Sequence, residues 1–134
     1  LVGMLMSMLV LGISLTLLSN KGNSMKLCIT TQYRENYGAH DWDGTGQCDQ
    51  YWKNKGGEEY FVSLEGVPDS DFLMIHVERI VDSLRPELEF SDMYSEQYII
   101  GFDVVADDYM TEYERSQLKY DGEIKYPARV LEVA

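Results

Sequence analysis

His40, Asp41 and Asp43 fall within four consecutive residues of the stretch AHDWDGTG. Two carboxylates one residue apart beside an imidazole are the raw material of a small metal-dependent hydrolase. The acids would hold a cation, and the imidazole or an acid would move a proton to or from an attacking water. Asp49 extends this set to four candidate metal ligands, His40, Asp41, Asp43 and Asp49. Asp41, Asp43, Thr45, Gly46 and Asp49 also match positions 1, 3, 5, 6 and 9 of an EF-hand loop, but Trp52 stands where the bidentate Glu belongs. Cys48 and His76 widen the choice to transition-metal ligands, and Cys48 with either histidine would make a thiol–imidazole nucleophile pair. His76 is expected on the side of a helix, as a boundary histidine. No motif here identifies a reaction, so the expectation is no metal, no cofactor and a binding role in preference to an enzyme.

Around these acids lies a concentration of aromatic residues: Tyr33, Tyr37, Trp42, Tyr51 and Trp52. Three cations, Arg34, Lys53 and Lys55, accompany them in a chain with only 11 basic residues. Two arrangements would account for such a set. The rings could fold over an open sheet face as a lid that completes the core. Alternatively they form a pocket wall that stacks on a planar ligand, with the cations meeting its phosphate. The expected binding surface is Tyr33, Arg34, Tyr37, Trp42, Tyr51, Trp52 and Lys53. Trp42 and Trp52 should both reach solvent, because their neighbours Asp41, Asp43, Gln50 and Lys53 are costly to bury.

These residues belong to a segment from Thr30 to Gly57 with neither helical nor strand period, expected as one long functional loop. The flanking elements must position it. Lys26–Gln32 and Glu59–Leu64 read as strands, and Asn54–Gly57 as a turn. After Pro68, Asp69 or Ser70 would cap a helix whose Leu73, Val77, Ile80, Val81 and Leu84 share one face, ended by Arg85-Pro86. Gln97–Ala106 is apolar on both faces, the pattern of a central strand. Thr111 and Glu114 make a capping box for a helix to about Lys119, and Arg129–Val133 a last strand. The order predicts an α+β domain: a small mixed or antiparallel sheet of about four strands with two helices packed on one face.

The chain has 23 acidic against 11 basic residues, a net charge of −12. Such a field repels nucleic-acid backbones and excludes non-specific DNA or RNA binding. It leaves a solvated acidic surface or, as an alternative, carboxylates that mimic nucleic acid before a DNA-binding partner. Residues 25–134 suffice for one small domain and not two. Residues 1–24 carry a single charge, Lys21, and Leu1–Ser19 is long enough to span a bilayer. Two expectations follow: an upstream translated segment with Met25 as the start, its Lys21-Gly22 codons resembling a ribosome-binding site, or an N-terminal transmembrane anchor. Both put the domain in the cytoplasm, the second tethering it to the inner membrane. Cys28 and Cys48 form no CxxC, and both should stay reduced there.

Two resemblances complete the reading. Asp41-Trp42-Asp43-Gly44-Thr45 is similar to the DxDGT nucleophile motif of haloacid dehalogenase-like phosphatases. That family sets the motif at the end of a buried hydrophobic strand, whereas Asn36–His40 precedes it here, and residues 25–134 are too few for its doubly wound sheet. More extensive is the match of TQYRENYGAHDWDGTGQCDQYWKNKGG, within a segment that begins at Met25. It resembles the opening third of small uncharacterised proteins of tailed bacteriophages, on the pattern TQYxENYGAHDWDGxGxCxQYWKxKGG. The resemblance implies an accessory protein that binds a host or defence component, or a small anionic ligand, through the 30–57 loop.

Overall fold

The computed structural model describes residues 24–133. The expected upstream or anchoring segment, up to residue 23, lies outside them. Among the described residues no helix is long and apolar enough to cross a membrane.

The central strand is the first of the described strands. Strand β1 (Met25–Asn36) alternates Leu27, Ile29 and Thr31 onto one buried face. It runs into a short helix, α1 (Tyr37–His40), then a loop, then β2 (Trp52–Asn54) and β3 (Glu59–Ser63). Helix α2 (Leu73–Leu88), β4 (Phe90–Ser91), β5 (Ser95–Ala106), α3 (Glu112–Asp121) and β6 (Val130–Leu131) follow. The sheet order is β4-β5-β1-β3-β6, with β2 also pairing β1. Only β3 and β6 run parallel among the pairs described, so the sheet is mixed. It has more strands than the four expected, because β2 and β4 are too short to show a period.

β1 pairs with β5 along its whole length, from Met25 opposite Ala106 to Glu35 opposite Ser95, with a register slip between Thr30 and Thr31. Its other edge takes β3 against residues 26–30 and β2 against residues 34–36. Between them Thr31 N–H donates to Glu58 O at 2.9 Å, and Lys55 N–H to Tyr33 O at 2.8 Å. The strand therefore persists through QYREN, where the side chains are polar and an end at Gln32 was expected. Backbone pairing on both edges outweighs local pattern, as it does for strands generally.

Helix α2 lays Val77, Val81, Leu84 and Leu88 on Leu27, Ile29, Tyr60, Val62 and Leu131. It begins at Leu73 rather than at the Asp69 or Ser70 cap, and Phe72 at its N-cap makes no side-chain bond. It also passes Pro86 instead of stopping before it. Burial of Leu88, 3% exposed, and the Glu89 N–H to Arg85 O bond at 2.8 Å hold the last turn. Helix α3 has the expected capping box of Thr111 and Glu114. However, it adds no side chain to the core around α2, so one helix and not two packs there. Its buried side chains are polar. Glu114 accepts from Ala128 N–H at 3.0 Å, and Gln117 accepts from Lys125 and Tyr126 N–H at 3.0 and 2.8 Å. β5 is not central either. Among the described residues its outer edge meets only β4, at residues 96–97, and none of its twelve residues is fully buried. Two of its amides bond carboxylates instead: Ile99 N–H to Glu89 and Val104 N–H to Asp103, both at 2.9 Å.

Candidate functional site

The expected 30–57 loop resolves into strand at both ends and an excursion from Tyr37 to Tyr51 between them. One side chain closes that excursion. Asn36, 0% exposed, accepts hydrogen bonds through Oδ1 from Gly38 N–H at 3.1 Å and Tyr51 N–H at 2.9 Å. Its Nδ2 donates to Met93 O at 3.0 Å, tying the excursion to the turn before β5. Tyr37 N–H adds a 2.8 Å bond to Tyr51 O. The two ends of the excursion meet so tightly that a Cβ on Gly38 would stand 2.7 Å from the Asp49 carbonyl carbon.

The tip is a self-bonded turn. Asp43 accepts from Thr45 N–H at 2.9 Å and from Thr45 Oγ1 at 2.7 Å, and these bonds hold its carboxyl below the usual range. Gly44 adopts φ +91°, open to glycine at little cost, and the Trp42 indole N–H donates to Thr45 O at 3.0 Å. A cavity of about 570 Å³ opens beside it, walled by Tyr37, Trp42 and Tyr51 and edged by Asp41, Asp43 and Asp49. Trp42 and Tyr51 are 37% and 56% exposed. Neither they nor Trp52 belongs to the hydrophobic core, so these rings are not a lid that completes it.

The remaining expected residues divide between the two sheet faces. Successive side chains of a strand alternate, and directly paired residues share a side. Glu35 is opposite Lys53, which puts Tyr33 and Lys53 on the face that α2 covers, whereas Asn36 opposite Trp52 puts Arg34 and Trp52 on the other. Arg34 pairs with Glu96 at 2.6 Å and lies 5.1 Å from the Trp52 ring. Lys53 sits 5.9 and 5.8 Å from the Tyr37 and Tyr51 rings, and Lys55 donates to Tyr37 OH at 2.7 Å. The cations are thus engaged with protein groups, and none lines the aspartate-edged cavity. The His40 ring lies tilted against Tyr94, 5.5 Å between centroids. Among the described residues no three His, Cys, Asp or Glu side chains converge as a metal ion requires, so His40, Asp41, Asp43 and Asp49 are not assembled into a cation site. His76 is exposed on α2, and Cys48 Sγ donates to Asp49 O at 3.5 Å rather than to a histidine.

The thiols differ. Cys28 is 5% exposed, and burial first, then the nearby Glu59 charge, push its pKa up to about 11. Ellman's reagent should modify one thiol, Cys48, in the native protein and both in urea; equal native rates would contradict the burial of Cys28. The raised value also fixes a pH dependence. In the unfolded chain the thiol ionises near its ordinary value of 9.0, while the native thiol stays neutral to about 11. Its contribution to stability is complete below pH 9 and declines towards pH 11. Tyr60, raised to about 12 by burial and its bond to Glu58, acts in the same sense. Urea midpoints measured from pH 8 to 11 should therefore fall, and a flat profile would refute the assignment.

Sequence reasoning missed a second concavity, of about 730 Å³, between the β1–β3 region, the start of α3 and residues 126–129. Its walls come from five separate stretches of chain, so no local motif announces it. The signal available was the polar pair Glu114 and Gln117, three residues apart on a helix that reads as needing an apolar face. No family model, no curated protein and no solved structure matches this chain.

Proposed function

We propose that the protein works by binding, as an accessory protein of the tailed-phage kind, and that the 37–51 excursion carries its docking surface. The partner is a host or defence protein that seats a lysine or arginine side chain against Tyr37, Trp42 and Tyr51. The observation that carries this reading is the combination of a rigidly tied loop with exposed rings around a cavity edged by Asp41, Asp43 and Asp49. Pre-ordering lowers the entropy cost of docking. Aromatic faces and carboxylates together attract a cation, with cation–π contacts contributing about 0.5–2 kcal/mol each. This charge favours a cation over the anionic ligand that Arg34 and Lys53 suggest in the sequence. Both cations are already engaged, one by Glu96 and the other beside Tyr37 and Tyr51.

A hexa-arginine peptide at physiological salt is the probe, read by tryptophan fluorescence. Saturable quenching is expected, weakened at least about ten-fold by Trp42→Ala and by Asp41→Asn combined with Asp49→Asn. Trp42→Ala should cost under about 1 kcal/mol of stability, against about 3–5 for a core tryptophan. Absence of saturable quenching, or equal binding by the variants, would remove the loop as the docking surface.

A further inference from the structure

β5 has an open side. Beyond the two residues paired with β4, its edge from Tyr98 to Ala106 meets no strand among the described residues. The ladder with β1 decides which amides face that side. Thr31 N–H donates to Glu58 O, away from β5, so Thr31 and Ile99 are a non-hydrogen-bonded pair and the Ile99 N–H points outward. Ile29 opposite Phe102 and Leu27 opposite Val104 keep the same alternation, because the register slip places its extra residue, Ile100, in β5. Ile99, Phe102 and Val104 thus turn their amides to the open side of a largely apolar strand. Such an edge is a template for a further strand.

Two of these three amides are already taken. Ile99 N–H donates to Glu89 Oε2 and Val104 N–H to Asp103 Oδ1, each at 2.9 Å. Glu89 sits one residue before Phe90, where β4 leaves the ladder, and Arg85 steadies its carboxylate at 3.1 Å. Asp103, exposed, turns back on the amide that follows it. Each carboxylate supplies what the carbonyl of a neighbouring strand would supply, and adds a charge that repels an identical edge. Bulges and charges are the means by which sheet edges are kept from pairing, and β5 combines both.

We propose that Asp103, with Glu89 beside β4, guards this edge, and that without the Asp103 carboxylate the edge pairs antiparallel with residues 102–106 of a second copy. A second copy fits because two identical edges close on each other about a two-fold axis. Val104 is the middle of the regular stretch after the bulge, so it would lie on that axis and exchange both backbone bonds with its counterpart. Its amide is the one that Asp103 occupies. The device is independent of the loop surface.

Sedimentation equilibrium and amide hydrogen exchange on the full chain test it, at about 1 M salt, where a Debye length of about 3 Å screens the net charge of −12. Asp103→Ala should self-associate at least ten-fold more tightly than the unchanged chain. The Phe102 and Val104 amides should then exchange at least ten-fold more slowly as its concentration rises. Asp103→Val, which suits a strand, should do the same and serves if the alanine variant does not fold. Asp103→Asn keeps an acceptor oxygen and should behave as the unchanged chain. No tightening in a folded alanine or valine variant overturns the proposal. So does equal tightening in Asp103→Asn, which would make charge and not the hydrogen bond the cause. Association without protection of Phe102 and Val104 overturns it by placing the contact elsewhere. Failure of both the alanine and valine variants to fold overturns it too, by making Asp103 a residue the strand needs for itself.

Discussion

Asn36→Ala should destabilise the protein by about 3 kcal/mol or more, the largest effect expected of any exchange outside the apolar core. The alanine leaves Gly38 N–H, Tyr51 N–H and Met93 O without the partners that Asn36 supplies from a position with 0% exposure. Each buried group stripped of its hydrogen bond costs about 1–3 kcal/mol, less where water enters the gap. Against a total stability of about 5–15 kcal/mol this is a large fraction. Urea unfolding by far-UV circular dichroism measures it. A loss under about 1 kcal/mol would mean that the excursion is held elsewhere, and the rigid-loop basis of the binding reading would fail with it. The same variant should also raise protease sensitivity between Tyr37 and Tyr51, since local opening follows local stability.

Gly57→Ala should cost a comparable amount by a different route. A Cβ there falls deep inside the contact distance of Thr31 O, and 2.6 Å from the Thr31 carbonyl carbon. Those are backbone atoms of the central strand, so no side-chain rotation relieves the clash. The Thr31–Glu58 pairing must open, with its Thr31 N–H to Glu58 O bond at 2.9 Å and the Thr31 Oγ1 bond at 3.0 Å. Overpacking of this kind costs about 1–3 kcal/mol and more when backbone must move. Gly44→Ala is the control. Gly44 has φ +91° but nothing within 4 Å of an added Cβ, so only the conformational penalty of about 1–2 kcal/mol applies. If the two alanines cost the same in parallel denaturation curves, the close approach at Gly57 is not what constrains that position.

Parts of this architecture are written plainly in the residues. Val77, Val81 and Leu84 repeat at helical spacing and do face the core, and Thr111 with Glu114 does cap α3. Those signals are local. What escaped them depends on partners distant in sequence. QYREN reads as loop because its side chains are polar, yet two neighbouring strands keep it extended. β5 reads as central because an apolar strand looks alike wherever it lies; its place beside a two-residue strand is a matter of topology. For the loop, the charged neighbours of Trp42 foretold its exposure. The division of Arg34 and Trp52 from Tyr33 and Lys53 was hidden only because strand alternation cannot be applied before the strand's extent is known. Asn36 reads as a turn residue, and nothing nearby points to its bond with Met93. The concavity beside α3 is hinted at only by the polar pair Glu114 and Gln117, since its walls, Glu59, Tyr113 and Arg129 among them, meet only through the fold.

The central strand is also the first of the described strands to be synthesised, and this governs how the chain can acquire its structure. Met25 waits for Ala106, and Glu35 for Ser95, before the longest ladder of the sheet can zip. During translation β1 emerges with its hairpin neighbours β2 and β3 well ahead of β5, so a nascent chain passes through a stage in which Leu27 and Ile29 have backbone partners on one edge alone. Pairings so remote in sequence slow folding, because the entropy of closing the intervening chain is lost before any contact rewards it. Refolding should accordingly take milliseconds to seconds rather than microseconds. A ribosome stalled before Ala106 would display an incomplete sheet with an open apolar edge, the kind of surface that chaperones hold.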